Sequence, residues 1–507
     1  MNRRTFLGTG AAMAAATSMT GKASRAASAQ EPWPEDWWNP EKPYGLSAKP
    51  LRVQPVLMYR VAEPRPQASY KSWGGVQSHE AATREAGRIE EELGKIAAEA
   101  PFEMQVLPVV KITSPDELAK VDQTRIDATV LYPASGGGNL LQAGMDLPNP
   151  VIFVRHRSGP VYYWYEALSV RYLRTDRPDY EAVREGPTPE LSVHDVVVDE
   201  LAELAWRLRV LHAVHNTLGA RVVALGGVWG KYAPEAPRKA RDQYGMELIE
   251  VSYDDFASRL DAAFADPKKM QCAENWTDRY LAMANTSLET DRPFVVNAFV
   301  LYGLFKELMS ENNAGAFTIR DCMGAIMPLS NTTACLTLSL MNDEGTLALC
   351  ESDFVIVPPA VFLYHLCRTP VFMHNSTFPH EGVVTCAHCT GPRRMDGIRY
   401  EPARILTHYE SEYGAAPKVE MPLGTTVSFL DPEYAVGRWV GIRGEVIDNP
   451  FFEICRSQQD VRIEGDWKRL LHEVRDSHWL MVYGDYLREM GYAANRLGVA
   501  WDNISDA

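Results

Sequence analysis

The stretch Arg221–Val251, "RVVALGGVWGKYAPEAPRKARDQYGMELIEV", decides the fold class. An apolar, β-branched run enters a glycine-rich turn at Gly226-Gly227-Val228-Trp229-Gly230. The segment "APEAPRKARDQYG" carries helix-forming residues closed by Gly245, and "MELIEVSYDD" is a second apolar run that ends on a capping Asp. Strand, helix and strand in that order predict parallel strands joined by a crossover helix.

The same order is written upstream. "LRVQPVLMYRV" (51–61) is a strand, "AATREAGRIEEELGKIAAEA" a helix and "FEMQVLPVVKI" a strand. "SPDELAKV" is a Ser-capped helix, "IDATVLYPASGGG" a strand into a glycine-rich loop, and "NPVIFVRH" (149–156) another strand. "VHDVVVDELAELAWRLRVLHAVHNTLG" (193–219) reads as one long amphipathic helix terminated by Gly219. The expectation is two consecutive Rossmann-like α/β domains, 51–175 and 176–345. Beyond them, "ARILTHYE", "KVEMPLGTTVSFL" and "RWVGIRGEVID" are short alternating runs with turn signals, which predict a β-rich domain over 346–507. Its last segment, from "DWKRLLHEV" on, holds two helical patterns around a short apolar strand.

The N-terminus sets the expected compartment. Arg3-Arg4 precede a short run of small and apolar residues, and Ala27-Ser28-Ala29 forms an A-x-A cleavage pattern. Together they predict a twin-arginine signal over 1–29 and a periplasmic or extracellular mature protein starting near Gln30. Residues 30–50 are rich in Pro and carry Trp33, Trp37 and Trp38, which predicts an ordered arm.

The 507 residues have a net charge of −15, which argues against nucleic acid and anionic membrane as partners, and no cysteine follows the N-terminal apolar run, the first being Cys272, so no membrane anchor is expected. Eight cysteines in that length are too few for a disulfide scaffold.

Two glycine-rich turns, Ser135-Gly136-Gly137-Gly138 and Gly226–Gly230, follow strands, but neither has dinucleotide or P-loop spacing. Each reads either as a tight strand-to-helix turn or as a substrate-facing loop. Cys386-Ala387-His388-Cys389 has no second C-x-x-C for a structural zinc site and closes an apolar strand instead of opening a helix. In that strand Cys386 and His388 share a face and Cys389 points to the other, so the cysteines are expected to be packing residues around a functional His388.

Glu351 and Asp353 are carboxylates in an apolar setting, "LALCESDFVIVPP", and Asn375, His388 and His478 stand at the edges of apolar runs. These are either ion-paired and hydrogen-bonded core residues or ligands of Mn2+, Mg2+ or Zn2+.

The segment 334–392, "ACLTLSLMNDEGTLALCESDFVIVPPAVFLYHLCRTPVFMHNSTFPHEGVVTCAHCTGP", resembles the metal-site region of the L-fucose/L-arabinose isomerase-like superfamily. The closing "SHWLMVYGDYLREMGYAANRLGV" resembles the family's C-terminal His-aromatic…Gly-Asp segment. The resemblance covers most of 51–507 and is carried by about 330–395 and 475–500. It implies two α/β domains before a β-rich domain, a sugar substrate, a homo-oligomer and a divalent metal, Mn2+ ahead of Mg2+ or Zn2+. It places Glu351 on a metal-binding glutamate, Asn375 on a metal-binding aspartate, and His478 and His388 on metal histidines. Glu351, with His388 or Asp353, is then expected to move a proton between sugar carbons through an enediolate. Asn375 departs from the pattern, because an amide oxygen binds a metal but takes no proton. The expected activity is aldose–ketose isomerisation. The alternatives are cleavage of a glycoside or other sugar derivative on the same fold, and a non-catalytic sugar-binding protein.

Overall fold

The computed structural model describes residues 32–162, 172–175, 177–183, 190–473 and 476–506. The expected signal at 1–29 lies outside the described residues.

The first unit is a parallel sheet in the order Met104–Val106, Leu51–Met58, Ala128–Tyr132, Pro150–Val154 and Val196–Val198, with Val110–Ile112 pairing beside Leu51–Met58. Ala128–Tyr132 and Pro150–Val154 are buried along their whole lengths, as strands covered on both faces are. The helix His79–Glu99 is capped by the Ser78 hydroxyl, which accepts from Ala81 N.

The second unit is a four-stranded parallel sheet, Leu347–Leu349, Ala316–Ile319, Arg221–Leu225 and Glu247–Val251. The predicted crossover helix spans Ala236–Tyr244 and ends at Gly245 with φ +63°. The cap of the next helix, Tyr253–Ala265, is Ser252 and not an Asp. The Pro/Trp arm is ordered: Trp33 stacks on Trp276 at 5.9 Å and its indole N–H donates to Glu307 at 2.7 Å. Trp38 meets Phe299 edge-on at 5.1 Å.

The third unit is an antiparallel barrel. Thr426–Glu433, His478–Tyr483, Phe372–Ser376, Val383–His388, Ser457–Glu464 and Arg438–Asp448 follow one another, and the last pairs back with Thr426–Glu433. Closure removes the sheet edges. Phe372, Val384, Cys386, Phe429, Val461 and Met481 share its core.

Two unit limits move from the sequence reading. Val196–Val198 pairs with Ile152–Val154, so the first unit runs past 175 and the long helix begins only at Leu201. Between them Asp199, at φ +61°, accepts from the backbone N–H groups of His156, Arg157 and Ser158. That anchor pins the β-branched Val196–Val198 to the sheet before the helix can propagate. Likewise Leu347–Leu349 belongs to the second sheet, beyond 345.

Candidate functional site

The second sheet delivers two segments to one end of the barrel. From Leu347–Leu349 the chain passes through Cys350 into Glu351 and Ser352, both left-handed at φ +65° and +49°. Consecutive non-glycine residues there are costly. Asp353 then bridges to Trp229, and Phe354 N donates to Trp229 O at 2.9 Å. The second segment is the glycine-rich turn that follows Arg221–Leu225, and it ends on Lys231.

The barrel brings His478, the first residue of its strand, and His388, the last of its own. Asn375 pairs in register with His478 on one side and Ala387 on the other.

Asp353 organises the site from below. Its Oδ1 accepts from Lys231 N at 3.0 Å and Val355 N at 3.1 Å, and its Oδ2 lies 2.8 Å from His478 Nδ1. An ionised carboxylate only accepts, so Nδ1 carries the proton of that bond. His478 Nε2 is left facing Lys231 Nζ at 3.0 Å and Glu351 Oε1 at 3.5 Å. Glu351 Oε2 lies 3.4 Å from Lys231 Nζ, and Glu351 Oε1 lies 3.9 Å from His388 Nε2. His388 Nδ1 is held by the Thr390 hydroxyl at 2.9 Å.

The charges follow from these contacts. Burial works to raise the Glu351 carboxyl, but His388 and His478 outweigh it and hold the group well below the usual carboxylate range. Burial opposes charge on His478, and the Asp353 and Glu351 carboxylates overcome it and raise the imidazole. The side chains of Glu351 and Lys231 are 34% and 21% exposed, whereas those of His478 and His388 are 2% and 6% exposed. A ligand therefore meets an anionic carboxylate and an ammonium in front of two held imidazoles.

Glu351, His388 and His478 are thus brought together. Asn375 stands beside them in the sheet, with its amide N–H donating to Ser477 O at 3.4 Å. Asp353, expected as a proton carrier, is 2% exposed with both oxygens engaged, so it is a positioning residue. The two cysteines separate: Cys386 sits in the barrel core, and Cys389, one residue past the strand's end, packs against Cys335, Ala416 and Cys455.

The implied divalent ion does not fit the residues as arranged. Among the described residues no group of three or more His, Cys, Asp or Glu side chains is set to hold a metal ion. An ion bound by Glu351 and His478 would lie about 2 Å from each donor atom. Lys231 Nζ already stands 3.4 Å from the carboxylate and 3.0 Å from the imidazole nitrogen, and Asp353 is spent on the scaffold.

Lys231 is the residue that sequence reasoning missed. Its position, directly after a glycine-rich turn at the carboxyl end of a parallel strand, is where open α/β sheets place ligands, and that was the available signal. Compared with protein-family models and with curated proteins, the chain matches none.

Proposed function

We propose that this protein is a sugar-processing enzyme of the aldose–ketose isomerase kind, acting through an enediolate. The observation that supports this reading is the meeting of Glu351, His388 and His478, from three distant stretches, around one carboxylate oxygen. Glu351, held ionised, takes the proton from the carbon next to the carbonyl. His388, whose Nε2 faces the Glu351 carboxylate, gives a proton to the carbonyl oxygen as the electron pair moves onto it. Glu351 then returns its proton to the former carbonyl carbon, while the hydroxyl on the carbon that was first deprotonated gives its proton back to the histidine, so that aldose becomes ketose and both groups return to their starting states. Asp353 fixes the His478 ring throughout. No step runs through the divalent ion that the family resemblance implies.

Glycoside cleavage is the weaker reading, because it asks for two free carboxyl groups and Asp353 has neither oxygen free. Export through the twin-arginine route belongs to the proposal, and blocked processing of an Arg3→Lys, Arg4→Lys precursor is its check. The test of the chemistry is a panel of pentoses and hexoses incubated with the mature protein in D2O and followed by NMR. Deuterium is expected at the carbon flanking the carbonyl of one sugar, reduced about 100-fold or more in Glu351→Gln. No exchange with any sugar would sink the isomerase reading.

A further inference from the structure

We propose that Lys231 is the resident cation of the site, standing in the place of a divalent ion and binding the substrate oxygen on which negative charge develops. This rests on the enediolate reading for the identity of that oxygen, but the competition between lysine and metal is independent of it.

The turn before Lys231 is built to deliver it. Gly226 and Gly227 have φ +80° and +96°, a backbone closed to ordinary side chains. A Cβ on Gly226 would lie 2.4 Å from the Tyr253 ring, and one on Gly230 2.2 Å from Ala233 O. Asp353 Oδ1 then fixes Lys231 N at 3.0 Å, and the other oxygen of the same carboxylate holds His478. One buried group therefore sets the lysine backbone and the imidazole that its side chain meets.

The ammonium lies 3.0 Å from His478 Nε2 and 3.4 Å from Glu351 Oε2. Lysine carries three N–H donors on a compact charge. Two face those partners, and the third is left for a ligand on the side where Lys231 and Glu351 remain partly exposed. That third donor is a preorganised partner for an enediolate oxygen. Lys231 adds a cation 3.4 Å from the Glu351 oxygen that the two histidines do not face. An ion within bonding distance of Glu351 and His478 would press against Nζ, so ammonium and ion exclude one another.

The test uses the mature protein, stripped with EDTA and titrated with Mn2+ by calorimetry and with Co2+ by its visible absorption. Wild type is expected to bind no stoichiometric ion. Lys231→Ala is expected to take up one equivalent, about tenfold or more tighter than wild type, because a positive charge within 4 Å has gone. The double variant Lys231→Ala, Glu351→Gln should lose that uptake. Lys231→Met, which fills the same volume without charge, replaces the alanine variant if that one fails to fold. Wild type binding one equivalent that Glu351→Gln abolishes and Lys231→Ala leaves unchanged would overturn the proposal. So would the absence of ion binding in both wild type and the lysine variants. In the D2O assay wild type should work in EDTA and Lys231→Met should lose about 100-fold or more. A wild type without sugar exchange overturns the isomerase reading, while the titration still decides the role of Lys231.

Discussion

The two glycine-rich turns each follow an inner strand of a parallel sheet and differ in what they do. After Ala128–Tyr132, Ser135 is buried, donates its hydroxyl to Val76 O and accepts from Arg60 N. Gly136 packs against Leu140 and Met58, and the turn closes into the short helix Gly138–Gly144. None of its three glycines has positive φ. After Arg221–Leu225, the turn takes two left-handed glycines, is stitched to Asp353 through Trp229, and ends by presenting Lys231 to the barrel. A glycine-rich turn is thus not a site in itself. The difference lies in whether another unit stands opposite with a carboxylate and an imidazole for the delivered residue to meet.

The largest effect expected from breaking this contrast is at Asp353. Asp353→Ala removes the acceptor of Lys231 N, Val355 N and His478 Nδ1 together. It should cost about 3–5 kcal/mol in urea unfolding and abolish sugar exchange. A loss below about 1 kcal/mol would mean that the second turn is not pinned from below. Next comes Gly230→Ala, whose new methyl would meet the Ala233 carbonyl oxygen at 2.2 Å. Backbone must move to relieve that contact, so about 2–3 kcal/mol is expected, together with a weakened Lys231–Glu351 contact. Gly136→Ala is the matching change in the first turn, where the nearest atoms are Leu140 Cδ1 at 3.0 Å and Met58 Cβ at 3.1 Å. A few tenths of an ångström of movement in the Leu140 side chain and in the Met58 strand relieves those contacts, so about 1 kcal/mol is expected, with sugar exchange unchanged. Equal costs at Gly230 and Gly136 would erase the distinction between the turns.

The sequence was readable where its signals are local. The helix Ala236–Tyr244, the strand Val383–His388 and the closing helix–strand–helix from Trp467 to Leu497 all have periods and stops within their own residues. Val196–Val198 was hidden because three β-branched residues are too short to show a period, and their partner strand is Pro150–Val154. Closure of the barrel was hidden for the same reason, since Thr426–Glu433 pairs with both Arg438–Asp448 and His478–Tyr483. At the site, Glu351, His388 and His478 stood out as polar residues in or beside apolar runs, and the family resemblance supplied the roles expected of them. Lys231 escaped because a single lysine has no pattern, and its partners lie 120 and 247 residues away.

The smallest effect expected tests what kind of charge the second turn brings. Glu351 and Glu401 are both glutamates at the barrel, with opposite titrations. Glu351 faces two histidines and an ammonium and is held ionised. Glu401 is buried and accepts from the Tyr483 hydroxyl at 2.6 Å. Burial pushes its carboxyl up to about 8, with Asp396 and Asp343 adding to the rise, against the hydrogen bond from Tyr483 and the charge of Arg399. In the unfolded chain a glutamate titrates near ~4.3. The folded protein therefore holds a proton on Glu401 that the unfolded chain has already lost between about 4.3 and 8, and stability falls as pH rises through that window. Glu401→Gln keeps an acceptor for Tyr483 and removes the titration. The thermal unfolding midpoint of Glu401→Gln, measured relative to wild type at each pH, should rise between pH 6 and pH 8. Asp343, whose buried carboxyl is pushed up to about 7, acts with the same sign, whereas His212, His365 and His374, held low by burial, act with the opposite sign in wild type and variant alike. If that difference stayed flat, burial would not be what keeps Glu401 protonated, and the contrast with Glu351, held ionised by His388 and His478, would fail.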